Sequence, residues 1–436
     1  MLTFLPLVLT GVPGNKRVKL RTIMRLAVKL SLILLTLCSL APLNQANGSD
    51  LEQRIRSIQE KHSVMGLSVV GVRNGKVVSK THLGWADYDR KIPVTDSSKF
   101  RIASISKTVA AAALMQLWEQ GKFQLDDNIS DYLGYPVVNP HFPKEPITFR
   151  HLLTHTSSLT DGPNYDQFLQ LTYQTPDQAL SLGELLSASG SHYKDGANFL
   201  KRAPGSHYHY SNLGFGLVGT LVEKISGERF DLYTEKNILK PLGLTATFNA
   251  HHLKNIDELG VLYRPGTNSW NATFDNHGGI RPPDRVGNSY VPGRNALVFG
   301  PQGGLRASAI DLSRFMAQFS HPKTCRILKP ATARMMLDEH WTNAEQGSAY
   351  RGRGLGFQRT QTLVNGELWI GHSGSAYGLQ SDMYFKEGGE IGIILITNGS
   401  RPSRSEGGFS QMEREILAAV IETLGKPRSQ IPLSRR

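Results

Sequence analysis

Cysteine is nearly absent: Cys38 and Cys325 are the two in 436 residues. Acidic residues are missing altogether from positions 1–48, which carry Lys16, Arg17, Lys19, Arg21, Arg25 and Lys29. A long apolar run is lacking too. The stretch Leu30–Leu40 is 11 residues, against the roughly 20 that a membrane-spanning helix needs. Each absence excludes something. Basic Arg25 and Lys29, a short apolar core and the polar, small-residue exit Asn44–Ser49 make a signal peptide, with cleavage expected after Ala46 or Gly48. Met24 offers a second start, and the alternative fate is an uncleaved anchor, the one membrane contact expected. Cys38 lies inside that leader, so Cys325 stands alone in the mature chain, and an intramolecular disulfide or a Cys₄ or Cys₂His₂ zinc site is excluded. Charged residues are 19% and hydrophobic residues 39%, an ordinary globular balance that rules out coiled-coil, collagen-like and wholly disordered chains. The net charge of +13 is unevenly placed. Outside the leader 43 basic residues face 36 acidic ones, and four of those positives lie in the tail after Gly425. With no basic stripe interleaved with aromatics, no nucleic-acid partner is expected.

What is present is periodic. Ser49-x-x-Glu52 makes a capping box before a helix to about Lys61. Leu67–Arg73 and Lys76–Leu83 are β-rich and joined by Asn74-Gly75, a hairpin signal. Thr108–Trp118, closed by Gly121, is apolar on all sides, which predicts a helix buried in the middle of the protein. From about 126 to 290 the chain reads as loop-rich and helical. Strand patterns return at Leu368–Gly371, Gln380–Phe385 and Ile391–Thr397, with Gly388-Gly389 turning between the last two, and an amphipathic helix spans about Gln411–Leu424. The expected fold is α+β: an antiparallel sheet flanked by helices, with an all-α insertion domain. The expected divisions are a leader 1–48, a catalytic domain 49–425 and a basic tail 426–436. Within the domain, 49–125 and 291–425 form the α/β part and 126–290 the insertion.

Three short motifs carry chemistry. Ser104-Ile105-Ser106-Lys107 stands where the buried helix begins; one helical turn puts Ser104 and Lys107 on one face, with Ser104 at the positive end of the helix dipole. A serine nucleophile needs a base within reach and donors for an oxyanion, and this position supplies both. The same tetrad at Ser191–Lys194 and Ser320–Lys323 falls in polar or proline-containing loops. Tyr210-Ser211-Asn212 opens a second helix, about Leu213–Ser226, and His372-Ser373-Gly374 ends a strand. H-x-G also occurs at His82 and His277, so it is the order and setting of the three motifs that signify.

Together they resemble the serine β-lactamase/penicillin-binding-protein superfamily, class C-like branch, with its DD-peptidases and family VIII carboxylesterases. Phe100–Lys107, Leu125-Asp126-Asp127-x-Ile129, Arg150–Leu159 and Gly303-Gly304-Leu305 extend the resemblance over about Met65–Leu424. The resemblance implies a β-lactamase/transpeptidase-like fold and a cofactor-free, metal-free serine hydrolase. Ser104 would be the acylated nucleophile, Lys107 and Tyr210 the proton-transfer pair, and Asn212 a substrate contact. Backbone N–H groups of Ser104 and Ser375 would form the oxyanion hole, and His372, Ser373 and Gly374 would line the substrate edge. Free Lys titrates near ~10.4 and free Tyr near ~10, so either needs a shift of about 3 units to serve as a base at pH 7, and the sequence leaves the choice between them open.

One position departs from the β-lactamase pattern, where K-T-G usually stands. An ordinary His372 would be charged in about a quarter of molecules at pH 7, which predicts that turnover of anionic substrates weakens above pH ~7. An esterase or D-amino-acid/DD-peptidase-like activity, with weak β-lactamase activity at most, is therefore expected; an inactive member that binds a cell-wall peptide is the alternative. Gly371–Ser375 nearly matches the G-x-S-x-G elbow, but strands follow rather than the helix that elbow requires. His151 and His155 have zinc-helix spacing without the catalytic Glu. Neither they nor His207/His209 or His251/His252 are expected to bind metal.

Overall fold

The computed structural model describes residues 50–267, 269–343, 351–364, 366–401, 405–406 and 408–425. The leader, Ser49 of the capping box and the basic tail lie outside these.

Among the described residues a nine-stranded antiparallel sheet runs through the molecule. Its strands in chain order are β1 (Gly66–Arg73), β2 (Lys76–Asp87), β3 (Ile92–Pro93), β4 (Trp341–Thr342), β5 (Arg351–Arg353), β6 (Gln358–Thr360), β7 (Trp369–Ala376), β8 (Leu379–Lys386) and β9 (Ile391–Thr397). Their spatial order is β3-β2-β1-β9-β8-β7-β6-β5-β4. The first and last parts of the chain therefore meet at the centre, where Val69 faces Leu395 and Val70 faces Ile394. Asn74 and Gly75 both adopt left-handed φ, 48° and 72°, as the expected two-residue turn requires.

Alternation along the central strands sends side chains to two cores. Leu67, Val69, Ile393 and Leu395 join Leu51, Ile55, Ile416 and Val420 from the terminal helices α1 (Asp50–Lys61) and α5 (Gln411–Gly425). Val70, Val72, Ile394 and Ile396 face the larger core instead. Because both faces are covered, these strands are mostly apolar on both sides. In the larger core lies α2 (Ser106–Glu119), whose residues Ser106–Met115 are all buried, so the expected buried helix is there. It packs against α3 (Asn212–Ser226), which ends at left-handed Gly227. Helix α4 (Ala309–Ser320) covers β9 on the same side.

The region 126–290 is rich in short helices but also holds a hairpin, Leu262–Pro265 with Trp270–Phe274. Pro265-Gly266 is the turn signal for it, but strands of 4 and 5 residues are too short to show a clear period. Strand β7 does not end at the His372 motif; it continues through it to Ala376.

Candidate active site

The chain enters α2 through a tight turn. Ala103 is held at φ 50°, in the left-handed region that a non-glycine residue occupies at a cost of about 1 kcal/mol or more. It is the first residue of the 3₁₀ turn Ala103–Ile105, which carries Ser104. Several contacts over-determine this conformation. Ser106 Oγ donates to Ala103 O (2.6 Å) and accepts from Leu305 N (3.0 Å), while Ile102 N donates to Leu305 O (2.9 Å). From the other side β7 presses close: a Cβ at Gly374 would lie 2.5 Å from Ile102 O and 3.0 Å from Ser104 N. Glycine is required there by proximity to the nucleophile turn.

Ser104 stands at the floor of a cleft of about 260 Å³, lined also by Tyr210, Asn212, Gln302 and Ser375. Tyr210 Oη donates to Ser104 Oγ (2.6 Å), and Lys107 Nζ lies 3.1 Å from the same oxygen. The three residues expected to carry the chemistry are thus in mutual contact. Lys107 is wholly buried, and desolvation lowers its pKa to about 7 although the negative charge of Asp161 opposes the shift. Burial acts in the opposite sense on Tyr210, raising its pKa well above the ordinary phenol value despite the bond to Ser104.

Lys107 Nζ also meets Asn212 Oδ1 (2.8 Å) and Gln302 O (2.5 Å). The orientation of the Asn212 amide is set by Asp161, a residue the sequence did not single out. Asn212 Nδ2 donates to Asp161 Oδ2 (2.9 Å), so its oxygen must face Lys107. Asp161 also accepts from Ser211 Oγ (3.0 Å), Asn212 N (2.9 Å) and Leu213 N (3.0 Å), anchoring the start of α3. The consequence for Lys107 is geometric. Asn212 Oδ1 and Gln302 O can only accept, so a neutral Lys107 gives them its two N–H bonds and directs its lone pair at Ser104 Oγ. Asn212 is therefore held at both ends of its amide by Asp161 and Lys107 while it lines the cleft.

His155 closes the site from behind. Its ring stacks on Tyr210 at 4.4 Å, its Nδ1 accepts from Ser211 N (3.2 Å), and burial holds its pKa well below the ordinary value. His151 belongs instead to a helix cap, donating its backbone N–H to Thr148 Oγ1.

The His372 motif is placed differently from expectation. His372 is buried, 6.4 Å between ring centroids from Tyr210, and Nδ1 lies 2.6 Å from Ser373 O. A carbonyl only accepts, so Nδ1 carries the proton. Desolvation, with the nearby charge of Lys107, lowers the His372 pKa to about 3. A ring held neutral in this way gives no support to the expected titration of anionic-substrate turnover near pH 7 through His372. Ser373 does not line the cleft either. Strand alternation turns it to the other face of β7, onto a cavity of about 130 Å³ with Arg353, Gln358, Thr360 and Tyr384. Ser375 does line the cleft. Tyr377 lines it as well, whereas Tyr208 stacks on Trp341 (5.2 Å) and Trp270 packs beside Met65, Val261 and Tyr263.

An antiparallel sheet with helices on both faces, and a Ser-Lys-Tyr cluster at the mouth of its central helix, define a β-lactamase/transpeptidase-like protein. Residues 51–412 match the family model described as Beta-lactamase, and the chain belongs to that family. It is similar to protein flp of Staphylococcus aureus (strain MRSA252), 27% identical over 240 residues, which cover 51% of this chain and 45% of that one. It is 30% identical to PbpX of Bacillus subtilis (strain 168) over 197 residues, covering 45% and 44%. The matched segments thus span somewhat less than half the length of these curated relatives. The fold is shared with an octameric penicillin-binding protein homologue from Pyrococcus abyssi (TM-score 0.65, 22% identity, 87% of this chain and 78% of that one). It is shared also with EstCE1, a hydrolase with promiscuous acyltransferase activity (TM-score 0.63, 24%, 85% and 98%). A third is D-amino acid amidase from Ochrobactrum anthropi SV3 (TM-score 0.62, 21%, 87% and 100%).

Proposed function

We propose that this protein is an exported serine hydrolase that cleaves an ester or amide through an acyl-enzyme at Ser104. The observation that carries the reading is the pair of contacts on Ser104 Oγ, from Tyr210 at 2.6 Å and Lys107 at 3.1 Å, in an open cleft. Neutral Lys107 takes the Ser104 proton as Oγ bonds to the substrate carbonyl carbon. The N–H groups of Ser104 and Ser375 face the oxyanion. Tyr210, which keeps its proton, donates it to the departing oxygen or nitrogen and regains one from Lys107. Water then attacks the ester by the reverse route, releasing the acid and restoring the Ser104 hydroxyl. Asn212 and Asp161 act as positioning residues for Lys107. The basic, apolar and small-residue order of the leader supports export.

The test is hydrolysis of para-nitrophenyl butyrate, a D-alanyl amide and a penicillin by the protein and its Ser104→Ala variant. The expected result is turnover of the ester or the amide, reduced by about 10³-fold or more in the variant. Unchanged turnover in the variant overturns the assignment, and no turnover of any substrate leaves the ligand-binding alternative.

A further inference from the structure

Of the two histidines with zinc-helix spacing, His155 stands directly behind Tyr210. It follows the short helix Phe149–Leu153 at φ 59°, a left-handed conformation that few side chains adopt, asparagine and histidine among them. The residue is 5% exposed.

Both neighbours of Tyr210 in the chain are tied to it. His209 N donates to His155 O (2.8 Å), and Ser211 N donates to His155 Nδ1 (3.2 Å). Between those two bonds the phenol ring of Tyr210 stacks on the imidazole, 4.4 Å between centroids and 27° between planes. The imidazole is itself backed by Phe215 of α3, at 5.0 Å. One residue thus fixes the backbone on either side of Tyr210 and the plane of its ring. The arrangement needs a single form of the imidazole. A backbone N–H only donates, so Nδ1 is bare and Nε2 carries the proton. Protonation of Nδ1 would break the bond to Ser211 and bury a second cation near Lys107. Burial and the charge of Lys107 oppose that protonation. What the stack fixes matters to the chemistry, because the Tyr210 hydroxyl lies 2.6 Å from Ser104 Oγ and proton transfer requires a donor held within hydrogen-bond reach.

We propose that His155 is the positioning residue of Tyr210, a neutral imidazole that aims the phenol at the departing group. It does for the proton donor what Asp161 and Asn212 do for Lys107. This inference rests on the Ser104 hydrolase reading, with Tyr210 as its proton donor, and adds the residue that holds the donor in place.

Two esters with the same acyl group test it. Para-nitrophenyl butyrate releases a stable phenolate that departs without a proton, whereas ethyl butyrate must have its leaving oxygen protonated. The ratio of kcat/KM, para-nitrophenyl over ethyl, therefore measures reliance on the donor. A variant that is partly misfolded loses both rates equally, so a merely structural defect leaves the ratio unmoved. Tyr210→Phe should raise the ratio about 10²-fold or more. His155→Asn suits the left-handed turn and offers Ser211 N an oxygen, but it removes the ring behind Tyr210; it should raise the ratio about tenfold, a part of the full donor effect. Adding His155→Asn to Tyr210→Phe should raise it no further, since the donor is already gone. If His155→Asn does not fold, His155→Gly, which also suits the turn, takes its place with the same expectation. A ratio that Tyr210→Phe raises and the His155 variant does not, or that rises again by tenfold in the double variant, overturns the positioning role and leaves the hydrolase intact. A wild type that cleaves the aryl ester alone, or a ratio unmoved by Tyr210→Phe, removes Tyr210 as donor and this inference with it. Failure of the wild type to cleave either ester overturns the hydrolase reading itself.

Discussion

Between pH 6 and pH 8, Lys107 is the group facing Ser104 whose charge changes. Its pKa is lowered to about 7, that of His372 to about 3, and Tyr210 is raised. If the neutral amine is the base, it makes up about 10% of molecules at pH 6 and about 90% at pH 8. The value of kcat/KM for a neutral ester should then rise about ninefold over that interval and level off above pH 8. A tyrosinate base would behave differently: with Tyr210 raised, the rate would go on climbing tenfold per pH unit beyond pH 9. The assay is initial-rate hydrolysis of a neutral amide or ester, corrected for the uncatalysed reaction, from pH 5.5 to 9.5. Stability has its own sign. The unfolded chain keeps the lysine proton up to about pH 10.4, so the cost of the buried ammonium is fully present below pH 7 and is relieved as pH rises. The folded state gains about 1 kcal/mol between pH 7 and 8 from this group. Melting curves at each pH separate that gain from catalysis. A flat profile, or one still rising at pH 9.5, would refute Lys107 as the base.

Other variants probe the parts around it. Tyr210→Phe removes the hydroxyl bonded to Ser104 but keeps the ring stacked on His155, so kcat should fall about 10²- to 10⁴-fold with little change in melting temperature by differential scanning calorimetry. Asp161→Ala leaves four donors at the start of α3 without their acceptor; it should cost about 2–4 kcal/mol in urea unfolding and lower kcat by releasing the Asn212 amide. Gly374→Ala would set a Cβ 2.5 Å from Ile102 O, and the strand must shift from the nucleophile turn. The expected cost is about 1–3 kcal/mol with a marked loss of kcat, whereas an unchanged kcat would contradict the packing described. Ile416→Ala, beneath the sheet in the second core, should cost about 2–5 kcal/mol and leave kcat unaltered below the melting transition.

The residues that could be read from the chain are those whose relation is local. Ser104 and Lys107 share a helical face by spacing alone, and the two-faced burial of Ile391–Thr397 is written in its unbroken apolar run. Asp161 could not be read in that way, because it lies 50 residues from Ser211 and acquires its role when the two segments meet. The neutral state of His372 depends on burial by distant parts of the chain. Ser373 is a different case: strand alternation assigns it to the face opposite His372 and Gly374, and continuing the strand through the motif would have shown it. The short strands β4 to β6 leave no period to detect, since each is two or three residues long.

The central claim, that Ser104 is the nucleophile, is tested most directly by intact-mass spectrometry after incubation with a fluorophosphonate. Attack by Ser104 Oγ forms an O–P bond and expels fluoride, leaving one stable adduct. The account predicts a single adduct on the wild type, mapped to the peptide containing Ser104, and none on Ser104→Ala. An adduct that persists in the variant, or maps to Ser373 or another residue, would contradict it.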